Sequence, residues 1–163
     1  MRNKVTSLQM SNRQTHNITA SSADDTEKLG EKIGQQLQGG EVIELNSDLG
    51  GGKTTFVRGL ARGAGSEDGV SSPTFTIKNV YSAPRFEIWH FDFYRLDEAG
   101  MVGFELEDAL GDKKVVTVIE WAKDAGKQLP PERLIIKFVP SVDDSRKLTL
   151  MCPNNLGYLV KDL

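Results

Sequence analysis

Gly50-Gly51-Gly52-Lys53-Thr54-Thr55 is the stretch of this chain whose residue types best suit the holding of phosphate. Glycines let backbone N–H groups converge on phosphate oxygens with no Cβ in the way. A helix starting near the lysine adds unpaired amide donors and a partial positive charge. Lys53 is long enough to reach terminal phosphates, and the Thr54 hydroxyl is of the kind that ligates Mg2+. The run from Asp48 to Thr55 therefore predicts a nucleoside triphosphate site, with ATP the first expectation. One position departs from the usual loop: counting back from Gly52, Ser47 stands where a glycine normally opens the turn.

Phosphoryl chemistry also needs a carboxylate near the metal, to hold it or its waters or to orient an attacking water. Two acids sit where strands are expected to end. Glu120 closes the apolar run Val115-Val116-Thr117-Val118-Ile119, and Asp92 lies in His90-Phe91-Asp92-Phe93-Tyr94-Arg95. Either could position the water. Ser71-Ser72-Pro73-Thr74 reads equally well as a plain turn or as a switch loop that senses the terminal phosphate. Trp121 is a packing residue on composition alone, with shielding of the site or stacking on a base as the functional alternative. His90 reads as structural, and Cys152, in the run Leu148 to Cys152, as a small buried hydrophobe.

These residues need a frame. Val42 to Leu45 predicts the strand that feeds the glycine loop, and Phe56, Val57, Leu60, Ala61 and Ala64 give the following segment one apolar face. An earlier helix begins after Ser21 or Ser22, with Asp25 in the place of a capping-box acid. Leu29, Ile33 and Leu37 share one face of it, Gly39-Gly40 ends it, and Gly30 and Gly34 either weaken it or allow close packing on the sheet. Residues 85–93 and 115–119 predict strands, and residues 97–110 a helix interrupted by Gly100 and Gly103. Leu134–Val139 and Lys147–Cys152 flank a polar turn and predict an antiparallel hairpin, with Gly157–Val160 as a final strand. The pattern is an α/β layer with a mixed sheet. Residues 1–17 are polar and aperiodic, expected to be a flexible extension ahead of a single domain over 18–163.

The chain has 163 residues, 38% of them hydrophobic and 26% charged, which suits one globular core. A net charge of −3 gives no general attraction to nucleic acid. A single cysteine excludes an internal disulfide and fits a reducing, cytoplasmic setting. No apolar run reaches membrane-spanning length, and the N-terminus lacks the apolar core of a signal peptide. No spacing matches a Cys/His zinc cluster or a catalytic triad.

Four blocks, taken in order, resemble the TsaE family, also called YjeE. They are Asp48-Leu49-Gly50-Gly51-Gly52-Lys53-Thr54-Thr55-Phe56, Ser72-Pro73-Thr74-Phe75-Thr76, His90-Phe91-Asp92-Phe93-Tyr94-Arg95-Leu96 and Ile119-Glu120-Trp121. The resemblance runs from about Ile18 to Val139, and Thr26 and Gly30 also fit the family's first helix. It implies an α/β, P-loop NTPase-like three-layer fold with a mixed parallel and antiparallel sheet, binding of ATP and Mg2+, and slow ATP hydrolysis. It also implies work beside two partners, TsaB and TsaD, in forming threonylcarbamoyladenosine at tRNA adenosine 37, with hydrolysis resetting their complex. In this reading tRNA is met only through the complex. Carried over to this chain, Asp48, Gly50, Gly51, Gly52, Lys53, Thr54 and Thr55 form the nucleotide cradle. Thr54 and Glu120 are the metal-linked positions, and Lys53, Asp92 and Glu120 the catalytic ones. Thr74 belongs to the switch-like loop, and Trp121 is the tryptophan beside the acid. Departures are Ser47 for the usual glycine, Gly51 where alanine is common, Ala122-Lys123 for Pro-Glu, and Asn79-Val80 ahead of Tyr81.

Two other readings share the loop. A small-molecule kinase would need an acceptor pocket and an arginine-bearing lid, for which Arg58, Arg62 and Arg95 are available. A non-catalytic switch would need only ATP and ADP forms that bind partners differently.

Overall fold

A computed structural model describes residues 12–48, 50–94, 100–122 and 128–163. In chain order the elements are β1 (Arg13–Ala20), α1 (Ala23–Gln36), β2 (Val42–Asn46), α2 (Lys53–Gly63), β3 (Lys78–Ser82), β4 (Glu87–Asp92), α3 (Gly100–Gly111), β5 (Val115–Glu120), β6 (Leu134–Pro140), β7 (Arg146–Pro153) and a 3-10 helix (Asn154–Leu159). Seven strands form one sheet in the order β1-β7-β6-β2-β5-β4-β3. Its four inner strands, β6-β2-β5-β4, are parallel, while β1, β7 and β3 join antiparallel at the two edges. The expected α/β fold with a mixed sheet is what the chain forms.

Side-chain alternation along the strands sorts residues to two faces. Val116 and Val118 of β5 and Ile88 of β4 join a core with Leu29 and Ile33 of α1 and Phe56, Val57 and Leu60 of α2. Val115 and Ile119 of β5 and Phe91 of β4 join the opposite core with Leu106 and Ala109 of α3. Helices thus cover both faces, giving three layers. By the same alternation His90, Asp92 and Glu120 point to the α2 face, where the glycine loop lies.

Helix α1 starts as its sequence predicts. The Ser22 hydroxyl accepts the N–H of Asp25 at 3.1 Å, and the Asp25 carboxylate accepts the N–H of Ser21 at 3.0 Å. Such a cap stabilises a helix start by about 1 kcal/mol. The helix ends at Gln36, ahead of Gly39-Gly40, with Leu37 as its C-cap. Gly30 and Gly34 serve contact with α2 and not with the sheet. A Cβ on Gly30 would lie 2.2 Å from the Phe56 carbonyl oxygen, and one on Gly34 2.1 Å from that of Leu60. The contact is reciprocal: a Cβ on Gly59 would lie 1.9 Å from the Glu27 carbonyl oxygen, and one on Gly63 2.1 Å from that of Glu31. Each pair is four residues apart and shares a helix face, so the two backbones touch along a glycine seam.

Two expectations change. Strand β1 begins at Arg13 and pairs with β7 over eight positions, so residues 13–17 of the expected extension belong to the sheet. Residues 1–11 lie outside the described residues. Gly157–Val160 is not a strand: a 3-10 turn follows Pro153, and Leu156 and Leu159, three apart, are buried on one side of it. Among the described residues, no helix is long and apolar enough to cross a membrane.

Candidate functional site

Strand β2 runs buried through Val42–Leu45 and delivers the chain at the carboxyl end of the parallel strands. There Gly50 (φ 77°) and Gly52 (φ 95°) take left-handed backbone conformations that a Cβ would strain, and α2 starts at Lys53. In the same parallel ladder Asp92 is paired with Glu120, so β4 and β5 end level and present both acids together. A cleft of about 260 Å3 is lined by Gly50, Gly51, Gly52, Lys53, Thr54, Thr55, Ser72, Thr74, Asp92, Glu120, Trp121 and Arg146. Nearly all the sequence-predicted site residues therefore meet in one place. Asp48 borders an adjoining groove of about 500 Å3, which also shares Trp121. Leu49 and Arg95 lie outside the described residues.

Lys53 is only 6% exposed. Its ammonium donates to the Ser47 hydroxyl at 2.8 Å, the Ser47 carbonyl at 3.3 Å and the Asp48 carbonyl at 3.2 Å. Burial lowers its pKa, and the nearby carboxylates of Glu120, Asp92 and Asp48 oppose that shift. The Trp121 ring lies 5.0 Å from the ammonium and 4.8 Å from the Tyr94 ring.

These contacts explain two departures at once. The Ser47 hydroxyl bonds Lys53 on one side and donates to the Asp48 carbonyl at 2.8 Å on the other. A Cβ on Gly51 would stand 2.3 Å from that hydroxyl oxygen and 2.7 Å from the Ser47 Cβ. Serine at 47 and glycine at 51 are thus sterically matched.

The two acids are held differently. Asp92 is 4% exposed and both its oxygens are engaged: Thr74 Oγ1 donates to one at 2.8 Å and the Tyr94 N–H to the other at 2.9 Å. Thr74 Oγ1 also shares a 2.7 Å hydrogen bond with the Ser72 hydroxyl. The 72–74 turn is thereby tied to the end of β4. Glu120, 3% exposed, meets His90 Nε2 through one oxygen at 2.8 Å. His90 is fully buried, and its Nδ1 has no hydrogen-bond partner among the described residues. Nε2 therefore carries the proton and donates to Glu120, since a proton on Nδ1 would have no acceptor. Backbone strain flanks both acids. Trp121, directly after Glu120, has φ 57°, and Ile77, whose carbonyl accepts the Asp92 N–H, has φ 68°. A β-branched residue in that region is a genuine outlier, and such strain gathers at ligand sites and switches.

Two contacts lie outside what the sequence names. His90, expected to be structural, is fully buried and donates to Glu120. Arg146 carries no local signal, because the β6–β7 hairpin brings it to a loop nearly a hundred residues earlier in the chain.

The residues suit Mg2+ only in company with phosphate. Among the described residues, no group of three or more His, Cys, Asp and Glu side chains could hold a metal ion by itself. Mg2+ commonly takes one or two protein oxygens and completes its shell with waters and phosphates. The Thr54 hydroxyl and Glu120 are oxygen donors of that type in the same cleft.

Comparison with known proteins gives the family. The family model described as "Threonylcarbamoyl adenosine biosynthesis protein TsaE" matches residues 20–148. The tRNA threonylcarbamoyladenosine biosynthesis protein TsaE of Bacillus subtilis is 36% identical over 133 residues, 81% of this chain and 82% of the relative. The protein of the same name from Treponema pallidum is 36% identical, covering 79% of this chain and 95% of the relative. The crystal structure of Bacillus subtilis YdiB superposes with a TM-score of 0.75 at 27% identity, over 92% of this chain and 94% of the other. The chain belongs to the TsaE family of threonylcarbamoyladenosine biosynthesis proteins.

Proposed function

We propose that this protein is a Mg2+-dependent ATP-binding protein with slow ATPase activity. In this reading it works beside homologues of TsaB and TsaD in tRNA threonylcarbamoyladenosine formation, and hydrolysis resets their complex between turnovers. Meeting tRNA only through those partners accords with the net charge of −3, and a cytoplasmic location follows from the same role. The observation that carries the proposal is the single cleft in which the glycine loop, Lys53, Thr54, Asp92 and Glu120 converge.

In the mechanism, the amides of Gly50–Thr55 and the Lys53 ammonium bind the phosphates and neutralise charge developing on the transferred group. Three loop oxygens now occupy Lys53, so phosphate must displace some of them. Thr54 and Glu120 would hold Mg2+, which when bound neutralises phosphate charge and orients the phosphates. The Glu120 oxygen left over by His90 is the better placed acid for metal or water. Asp92, with both oxygens engaged, links the cleft to Thr74 and so serves as the reporter of what the cleft holds. Trp121 shields Lys53 on the outer side.

The Thr74–Asp92 bond and the strained Ile77 also favour a nucleotide-dependent switch. Slow hydrolysis can time such a switch, so the two readings are compatible. A small-molecule kinase is less well supported, because Arg62 pairs with Glu27 and Glu31, and Arg58 approaches Glu27, on the surface of the α1–α2 pair.

The test is ATP hydrolysis with and without the TsaB–TsaD homologues. The pair should stimulate turnover, and Lys53→Ala should lower it about a hundredfold or more. Wild-type turnover by Lys53→Ala in the presence of both partners would sink the proposal.

A further inference from the structure

Arg146 is delivered to the phosphate cleft by the β6–β7 hairpin; the other lining residues belong to the glycine loop, the 72–74 turn and the ends of β4 and β5. Its backbone is held on both sides, paired with Pro140 of β6 and Ala20 of β1. The hairpin turn is closed by the Ser141 N–H donating to the Ser145 carbonyl at 3.0 Å. Asp144 supplies a left-handed residue there (φ 59°), a conformation that aspartate tolerates better than most.

The guanidinium is fixed from two directions. Nε donates to the Gly51 carbonyl at 3.2 Å, and Nη1 donates to the Asp144 carbonyl at 3.2 Å. A Cβ on Gly52 would lie 3.1 Å from Nε and 3.3 Å from Cδ, so the side chain packs on the loop where α2 begins. Nη2 has no hydrogen-bond partner among the described residues. Arg133 and Arg62 pair with carboxylates, whereas no carboxylate of the described residues lies within ion-pair distance of Arg146. A half-buried cation, pre-oriented beside a glycine loop and lacking an acid, is matched to an incoming anion.

Charge in the cleft points the same way. Lys53 and Arg146 stand against Asp92 and Glu120, which leaves no surplus positive charge for a ligand as anionic as a triphosphate. Without Arg146 the cleft would be net acidic.

We infer that Arg146 binds nucleotide phosphate in cis, using the Nη2 edge of a guanidinium that the hairpin and the Gly51 carbonyl hold in place. This rests on the ATP reading above and adds to it a residue supplied by the far edge of the sheet. The alternative role is a brace, in which Arg146 only supports the loop through Gly51.

The test uses the purified full chain, Arg146→Ala and Arg146→Lys, titrated with ATP and with inorganic tripolyphosphate, alongside melting of the nucleotide-free proteins. Arg146→Ala should weaken binding of both probes by about tenfold to a hundredfold, as expected for a charge-assisted hydrogen bond. Arg146→Lys should recover part of that loss, and melting of the empty protein should stay unchanged. A loss confined to ATP would assign Arg146 to the ribose or base and overturn the inference. So would affinities within about twofold of wild type, or a loss matched by lower melting of the empty protein. Wild-type protein that binds neither probe would sink the nucleotide reading itself, whereas wild-type binding with Arg146→Ala unaffected would sink only Arg146.

Discussion

Glycine serves opposite purposes in the α1–α2 seam and in the loop over residues 50–52. In the seam, Gly30, Gly34, Gly59 and Gly63 lie in ordinary helical backbone, and each is glycine because a carbonyl of the other helix occupies the space of a Cβ. In the loop, nothing described stands within 4 Å of a Cβ built on Gly50, and its positive φ is what calls for glycine. The seam is therefore closed and complete without a ligand. The loop is open and held by Lys53. Sequence neighbours share the work: Lys53–Gly63 is both the floor of the cleft and half of the seam, so the seam fixes where the loop must begin.

This contrast can be broken by substitution. The largest effect belongs to Gly59→Ala, whose Cβ would press on the Glu27 carbonyl. It should cost about 3 kcal/mol, lowering Tm by roughly 6–12 °C for a chain of this size. Thermal melting that stays within a degree or two of wild type would show that the helices can part without penalty.

Next comes His90→Ala, which leaves the buried Glu120 carboxylate without its donor. A loss of about 2 kcal/mol in urea unfolding is expected, together with a fall in hydrolysis. His90→Gln, which keeps a donor, should recover part of both. Full hydrolysis by His90→Ala would remove His90 from the site.

Gly51→Ala should be milder, about 1 kcal/mol, because the atoms under 3 Å belong to the one side chain of Ser47, in a surface loop, and not to the backbone of a packed helix. In Ser47→Gly that cost should nearly vanish, giving a coupling of roughly 1 kcal/mol in a double-mutant cycle. Additive effects would mean that positions 47 and 51 are independent.

The smallest effect is an expected absence of reaction. Cys152 is fully buried and burial raises its thiol pKa to about 11. At pH 8 only on the order of one thiol in a thousand would be ionised, so a thiol reagent should label Cys152 on the timescale of global unfolding. In Gly59→Ala that labelling should accelerate strongly, and in Gly51→Ala by only about fivefold. Rapid labelling of the native wild type would contradict the burial.

The glycine loop, the two strand-terminal acids and the hairpin were legible because each is signalled locally. Glycine and lysine spacing announces a tight loop at a helix start, and an apolar run ending in Glu120 announces a central strand with an acid at its tip. The 3-10 turn was misread because Gly157–Val160 has strand-like composition, while Pro153 and the burial of Leu156 and Leu159 favour a tight turn. The start of β1 at Arg13 was misread because an edge strand facing solvent has a polar sequence and takes its order from β7.

By itself, then, the sequence determined the residue types of the site, the strands and helices from α1 to the β6–β7 hairpin apart from β3, and the family to which they belong, since these depend on patterns within a few residues. Tertiary structure alone decided which of those groups touch. It levelled Asp92 with Glu120, put His90 behind Glu120, matched Gly51 to Ser47, turned Gly30 and Gly34 toward α2 and carried Arg146 to the loop. Those contacts join residues up to a hundred positions apart, and sheet register and helix packing, not local spacing, bring them within hydrogen-bond or van der Waals reach.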